Sequence, residues 1–124
     1  MPSSRQLTIA FALARIAYGV ALIAAPRRAA AAWIGGDADR RPTQLAVRGL
    51  GARDIALSAG TLAARSDGEA LRPWLIACAA CDLADIAATL AARKSLPDRA
   101  APGTVALAGA AAATGIGLAA TTET

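Results

Sequence analysis

Six ionisable side chains fall inside runs that are otherwise apolar: Arg15, then Arg48, Arg53 and Asp54, then Asp82 and Asp85. Three positive charges stand against three negative ones. A charge in such a run marks either a functional site or a structural ion pair. Carboxylates there can act as general acid and base, and guanidinium groups can hold a polar head group. Asp82 and Asp85 are spaced i and i+3 and repel each other. Together with Asp54 they are the candidate catalytic carboxylates, able to give or take a proton unless an Arg lies between them. Arg15, Arg48, Arg53 and Tyr18 are the candidate ligand-binding side chains. Arg15 or Arg48 is the expected partner of the carboxylates. The chain has no His, which excludes a Ser-His-Asp triad, a His-ligated zinc and a His proton shuttle.

Cys78 and Cys81 make a CxxC spacing. A redox pair of this kind normally sits at a helix N-terminus, where the dipole activates the thiol. Here it falls in the middle of an apolar run. A metal site would need Cys78, Cys81, Asp82 and Asp85 with neither a His nor a second Cys pair. Small side chains in a tight helix contact account better for the thiols, so no metal and no cofactor is assigned.

The elements that must position these groups are four apolar stretches, residues 7–25, 44–64, 73–92 and 103–121, each of 19 to 21 residues. At about 1.5 Å rise per residue they match a hydrocarbon core of about 30 Å. Breakers separate them: Pro26, Gly35-Gly36, Pro42, Asp67-Gly68, Pro97 and Pro102-Gly103. Thr43 is placed to cap the second helix, and Pro73 suits the first turn of the third. Of the 124 residues 56% are apolar, which excludes a disordered chain, and only 3% are aromatic, which argues against a β-rich one. The expected fold is an all-α, integral membrane four-helix bundle running up-down-up-down, one domain over residues 1–124. The alternative is a soluble Ala-rich bundle, but the fourth stretch carries no charge on any face.

The second stretch is the least apolar. Arg48, Arg53 and Asp54 oppose insertion by about 2.5–3.5 kcal/mol each, against about 0.3–0.6 gained from each of its Leu, Ile and Val residues. It should not enter a membrane alone, but could enter beside a helix that neutralises its charges. The first stretch is longer than the usual core of a signal peptide and holds Arg15 in its middle, so it reads as a retained helix. Between the first two, residues 26–34 suit either a short interfacial helix, with Trp33 at the head groups and Arg27 and Arg28 facing phosphates, or an ordinary loop anchored to the membrane by Trp33. Trp74 is a second interface marker.

Loop cations set an orientation. Arg27, Arg28, Arg40, Arg41, Arg93, Lys94 and Arg99 occupy the first and third loops, against Arg5, Arg65 and Arg72 elsewhere. The positive-inside rule then puts both termini outside the cytoplasm, in the inner (cell) membrane. These loops also explain the net charge of +4, and no nucleic-acid-binding motif accompanies it.

In an up-down bundle Arg15, Arg53, Asp54, Asp82 and Asp85 all lie near the midplane, and Arg48 is offset by about 8 Å of rise. Stepping 100° per residue puts Cys78, Cys81, Asp82, Asp85 and Thr89 on one helix face, and Thr8, Phe11, Arg15, Tyr18 and Leu22 on another. Arg53 projects away from Arg48 and Asp54, so the three charges cannot share one spot, and one of them should face a neighbouring subunit or snorkel. In the fourth stretch Gly109, Ala113 and Gly117 form a small-xxx-small repeat suited to close helix contact, within the protein or in a dimer. That stretch carries no chemistry of its own.

The run Ala-Arg-Ile-Ala-Tyr-Gly-Val at 14–20 followed by Pro26, the segment Arg48-Gly-Leu-Gly-Ala-Arg-Asp54 and the Cys81-Asp-Leu-Ala-Asp85 motif carry a resemblance over most of the chain. The sequence resembles the actinobacterial branch of a family of small four-helix membrane proteins, known as a domain of unknown function, and is distantly similar to DoxX-like membrane proteins. The resemblance implies the four-helix membrane fold and a family pattern that includes Arg48, Arg53, Asp54, Asp82 and Asp85. DoxX-like proteins are associated with quinone and redox partners, but no quinone motif maps onto these residues. Small four-helix multidrug exporters carry an acidic residue in the first helix, where this chain has Arg15.

Three functions compete. The charges hold the head of a lipophilic molecule such as a quinone, isoprenoid or polyketide, with Asp82 and Asp85 as acid and base. Or one Asp titrates in a proton-coupled transporter subunit, which with so few helices would require a homodimer. Or the charges set helix register in an accessory subunit and meet a membrane partner protein, which an outward Arg53 would favour. The first is preferred, with the bilayer and a lipophilic small molecule as partners.

Overall fold

The computed structural model describes residues 1–122, and all its regular structure is helical. Five α-helices follow in order: α1 (Ser4–Ala24), α2 (Pro26–Ile34), α3 (Arg41–Ala64), α4 (Gly68–Ala91) and α5 (Ala100–Thr121). Short 3-10 turns at Gly35–Asp39 and Arg93–Ser95 complete the connections. Among the described helices α1, α4 and α5 are long and apolar enough to cross a membrane. Of the two readings of residues 26–34, helix or loop, the structure has the helix, α2.

Local chemistry explains the helix ends, and corrects two expectations. Ser3 caps α1 in a reciprocal box, its Oγ accepting from the Gln6 N–H while the Ser3 N–H donates to Gln6 Oε1. Helix α3 starts before Thr43: Arg40 is its N-cap, and Pro42 sits in the first turn, where a missing N–H costs nothing. Helix α4 starts at Gly68, with the Asp67 carboxylate accepting from the Ala70 N–H. Pro73 therefore lies inside α4 rather than opening it. Gly35 ends α2 at φ 72°, a conformation that disfavours any side chain, and an added Cβ would also meet Pro97 Cγ at 3.0 Å.

Helices α1 and α3 form one close pair, and α4 and α5 the other. The first pair is antiparallel, with Leu22 and Val47 sharing a core cluster and a Cβ on Gly51 lying 2.6 Å from the Gly19 carbonyl oxygen. In the second pair Leu71 and Leu75 pack on Leu118 and Ala119, and Gly115 approaches the Leu75 carbonyl. Gly115 rather than the Gly109/Gly117 repeat thus seats α5; a Cβ on either of those two would meet nothing within 4 Å. Helix α3 meets α4 where Thr61 faces Cys78 and where Gly60 leaves room for the Trp74 ring. Helices α1 and α5 touch only lightly.

Alongside this aliphatic core, charge is buried at the centre and large apolar side chains lie at the surface. Arg15, Asp54 and Asp82 are 8%, 5% and 5% exposed, whereas Leu45 is 73% exposed. Leu13, Val20, Ile76, Leu83 and Ile116 also face outward. Water would penalise so much contiguous apolar surface, and lipid would not.

Candidate binding site

Helix α1 places Arg15 among α3 and α4 because Ala12 and Gly19, one turn either side, let the neighbouring backbones come close. One terminal nitrogen of Arg15 donates to both oxygens of Asp82, at 2.9 and 2.8 Å. The other donates to Oδ1 of Asp54 at 3.3 Å. The guanidinium also lies 5.5 Å from the centre of the Phe11 ring, within cation–π range. Its Nε is buried without a hydrogen-bond partner.

Arg53 makes the second half of the network. Its terminal nitrogens grip Asp85 two-pronged, at 3.0 and 2.7 Å. Nε and one terminal nitrogen also donate to Oδ1 of Asp54, at 3.4 and 3.2 Å. The result is a chain of alternating charge, Asp82–Arg15–Asp54–Arg53–Asp85, that ties α1, α3 and α4 together. An Arg does lie beside each of Asp82 and Asp85, so their mutual repulsion is offset.

The structure thus revises the roles of the two arginines of α3. Arg48 is exposed and donates from Nε to the Ile23 carbonyl at 3.2 Å, near the C-terminal end of α1. Among the described residues no carboxylate pairs with it. Arg53, expected to turn away, is the one that joins the core: an Arg side chain is long enough to bend back around its helix to a target that its Cα does not face. Sequence projection gives the direction of Cα–Cβ and misses that reach.

Beside the network lies a cavity of about 620 Å³, with Arg15, Arg53, Asp54, Asp82 and Asp85 forming its polar floor. Phe11, Tyr18 and Leu22 of α1 form one wall, and Thr104, Leu107, Ala111 and Thr114 of α5 the opposite one. This volume suits a small organic ligand, and a mostly apolar lining with a few convergent polar groups is the usual make-up of such a site. Helix α5, expected to carry no chemistry, supplies a wall, because Ala and Thr opposite the charges leave the space unfilled. Trp33 and Ala29 of α2 and Arg99 before α5 line the cavity as well. Trp33 turns inward: its indole N–H donates to the Thr89 hydroxyl at 2.9 Å, and that hydroxyl donates to the Asp85 carbonyl at 2.8 Å. Its expected place at the head groups is therefore not where its polar atom points.

Tyr18 is 42% exposed yet borders the cavity, on the stripe it shares with Arg15. Cys78 is buried with its sulfur 3.9 Å from the Thr61 hydroxyl, and Cys81 is half-buried; both are free thiols. No known protein family, curated protein or solved structure matches the chain.

Proposed function

We propose that this chain is an integral membrane protein whose midplane Arg/Asp network forms the floor of a binding site for a lipophilic small molecule. The observation that carries the reading is the coincidence of buried charge with the cavity: many large apolar side chains face outward, and five central charges border a space they do not fill. Intramembrane charge is costly unless it serves a purpose or is paired, and here it is paired and still borders an opening. Helix α3 completes a four-helix, up-down-up-down transmembrane bundle in this reading. It is too polar to insert unaided, but α1 brings Arg15 to Asp54 and α4 brings Asp85 to Arg53, so its two central charges enter already neutralised. The seven cations of the loops on the α2 side face the cytoplasm, and both termini lie outside. The resemblance to the actinobacterial four-helix family, and more distantly to DoxX-like proteins, agrees with this architecture.

Acid–base chemistry on the ligand needs a carboxylate oxygen not held by an Arg. Asp82 and Asp85 use both oxygens on guanidinium groups, whereas all three bonds to Asp54 end on Oδ1. Asp54 is therefore the best placed of the three candidates to contact the ligand, with Asp82 and Asp85 holding the arginines in position.

The test is mass spectrometry of organic extracts from gently purified wild type and Asp82→Asn. A lipophilic compound enriched with wild type and lost from an equally folded variant is the expected result. Equal recovery of that compound from both would reject the site. A second reading, an accessory subunit of a membrane complex, draws on the open face at Gly109 and Gly117. Cross-linking in native membranes that traps only monomer would reject that one.

A further inference from the structure

Charge on the cavity floor is unequal. With all five side chains ionised, Arg15 and Arg53 face Asp54, Asp82 and Asp85, which leaves one negative charge in excess. The donors are committed inward: the terminal nitrogens of both arginines already bond carboxylates, and Nε of Arg15 is sealed from the cavity. The acceptors are not. Three bonds converge on Oδ1 of Asp54 and none of them uses Oδ2, while Asp54 itself lines the cavity. In low-dielectric surroundings an excess charge draws a counter-charge far more strongly than it does in water. A ligand head that carries negative charge would add to the excess at the floor, where every guanidinium is already engaged, and Arg99, the other cation of the lining, lies at the far end of the cavity.

Shape narrows the choice further. From Arg99, the N-cap of α5, to Thr114 within it, the lining spans about 22 Å of helix rise. Spread over that length the volume is a narrow slot rather than a round chamber. The two walls belong to α1 and α5, which touch only lightly, so the slot faces the bilayer between them. Arg99 stands at the far end of the slot and disfavours the approach of a cation from that side.

We infer that the slot takes a single-tailed amphiphile with a primary ammonium head, admitted from the bilayer between α1 and α5 and bonded through its N–H groups to Oδ2 of Asp54. This inference rests on the binding role proposed above and specifies its ligand. An ammonium offers three donors and the missing positive charge together.

The experiment uses the full chain in discs of neutral phosphatidylcholine, with Trp74→Phe so that Trp33 in the cavity is the sole fluorescent indole. Dodecylammonium, dodecanol and dodecanoate are titrated against its emission. Dodecylammonium should saturate the signal at a concentration lower than dodecanol by about tenfold or more, the usual range for a charged hydrogen bond, with dodecanoate weakest. Asp54→Asn should erase the ammonium preference, bringing the midpoints of dodecylammonium and dodecanol together. Dodecanoate binding as tightly as dodecylammonium in the unaltered site would overturn the ammonium assignment while leaving the binding role intact, and so would a preference that survives Asp54→Asn. Should none of the three saturate, the binding role itself fails. The comparison of head groups needs no charge variant, so it stands even if Asp54→Asn does not fold.

Discussion

Arg15 is the residue on which the core charges depend. It is the shared donor of Asp54 and Asp82, and its own side chain is 9% exposed. Removing one partner of a buried ion pair leaves the other charge uncompensated, which costs about 3–5 kcal/mol. Arg15→Met should therefore destabilise the protein by that amount in reversible unfolding from mixed micelles. Arg53→Met should cost less, about 1–3 kcal/mol, because its side chain is 27% exposed, Asp54 keeps its bond from Arg15 and only the partly exposed Asp85 is orphaned. Adding Asp85→Leu to Arg53→Met should restore much of the loss, since the unpaired charge is then gone. Arg48→Met should change stability by no more than about 0.5 kcal/mol, because Arg48 holds a single exposed carbonyl. The order Arg15, Arg53, Arg48 is the point at issue: an Arg48 variant as damaging as the Arg15 one would mean that the network has different members.

Helix packing turns on glycines whose neighbours differ. A Cβ at Gly51 would lie 2.6 Å from the Gly19 carbonyl oxygen and 2.9 Å from Leu22 Cβ, so backbone has to move. Gly51→Ala should cost about 1–3 kcal/mol through overpacking of α1 on α3. Gly109→Ala meets open space, and the gain in helix propensity should stabilise by about 0.5–1 kcal/mol in the monomer. Unfolding of the two variants side by side checks both, and a destabilising Gly109→Ala would point to a partner seated on α5. At this scale much was legible in the sequence. Apolar runs and their Pro and Gly breakers located every long helix, and the 100° projection put Arg15 with Thr8 and Leu22, and Asp82 with Cys78 and Thr89, on the faces that are buried. What the projection could not supply is reach and absence. Arg53 bends back to Asp85 along a path set by tertiary neighbours, and the cavity exists because α5 offers Ala111 and Thr114 where larger side chains would have filled it. Trp33 reads as an interface residue by type, and only the position of Thr89 across the fold draws its N–H inward.

Across the whole molecule, charge and packing agree on two unlike ends. Gly35 lies against Pro97, which brings the first and third connections together, and Gly68 lies against Thr122, which brings the second connection to the C-terminal end of α5. The seven loop cations therefore share one end instead of being scattered, and the cavity lining reaches that end at Arg99 and Trp33. A segregated basic end favours the cytoplasmic side, where loop cations are retained during insertion. Ser66 and Ser95 are exposed at opposite ends and report the outcome directly. In a Cys78→Ala/Cys81→Ala background, a cysteine substituted at Ser66 should react with a membrane-impermeant maleimide on intact cells. The same substitution at Ser95 should react only after the cells are opened. The reverse pattern would place the basic end and the Arg99 side of the cavity outside, and labelling of both on intact cells would mean that the helices between them do not span the bilayer.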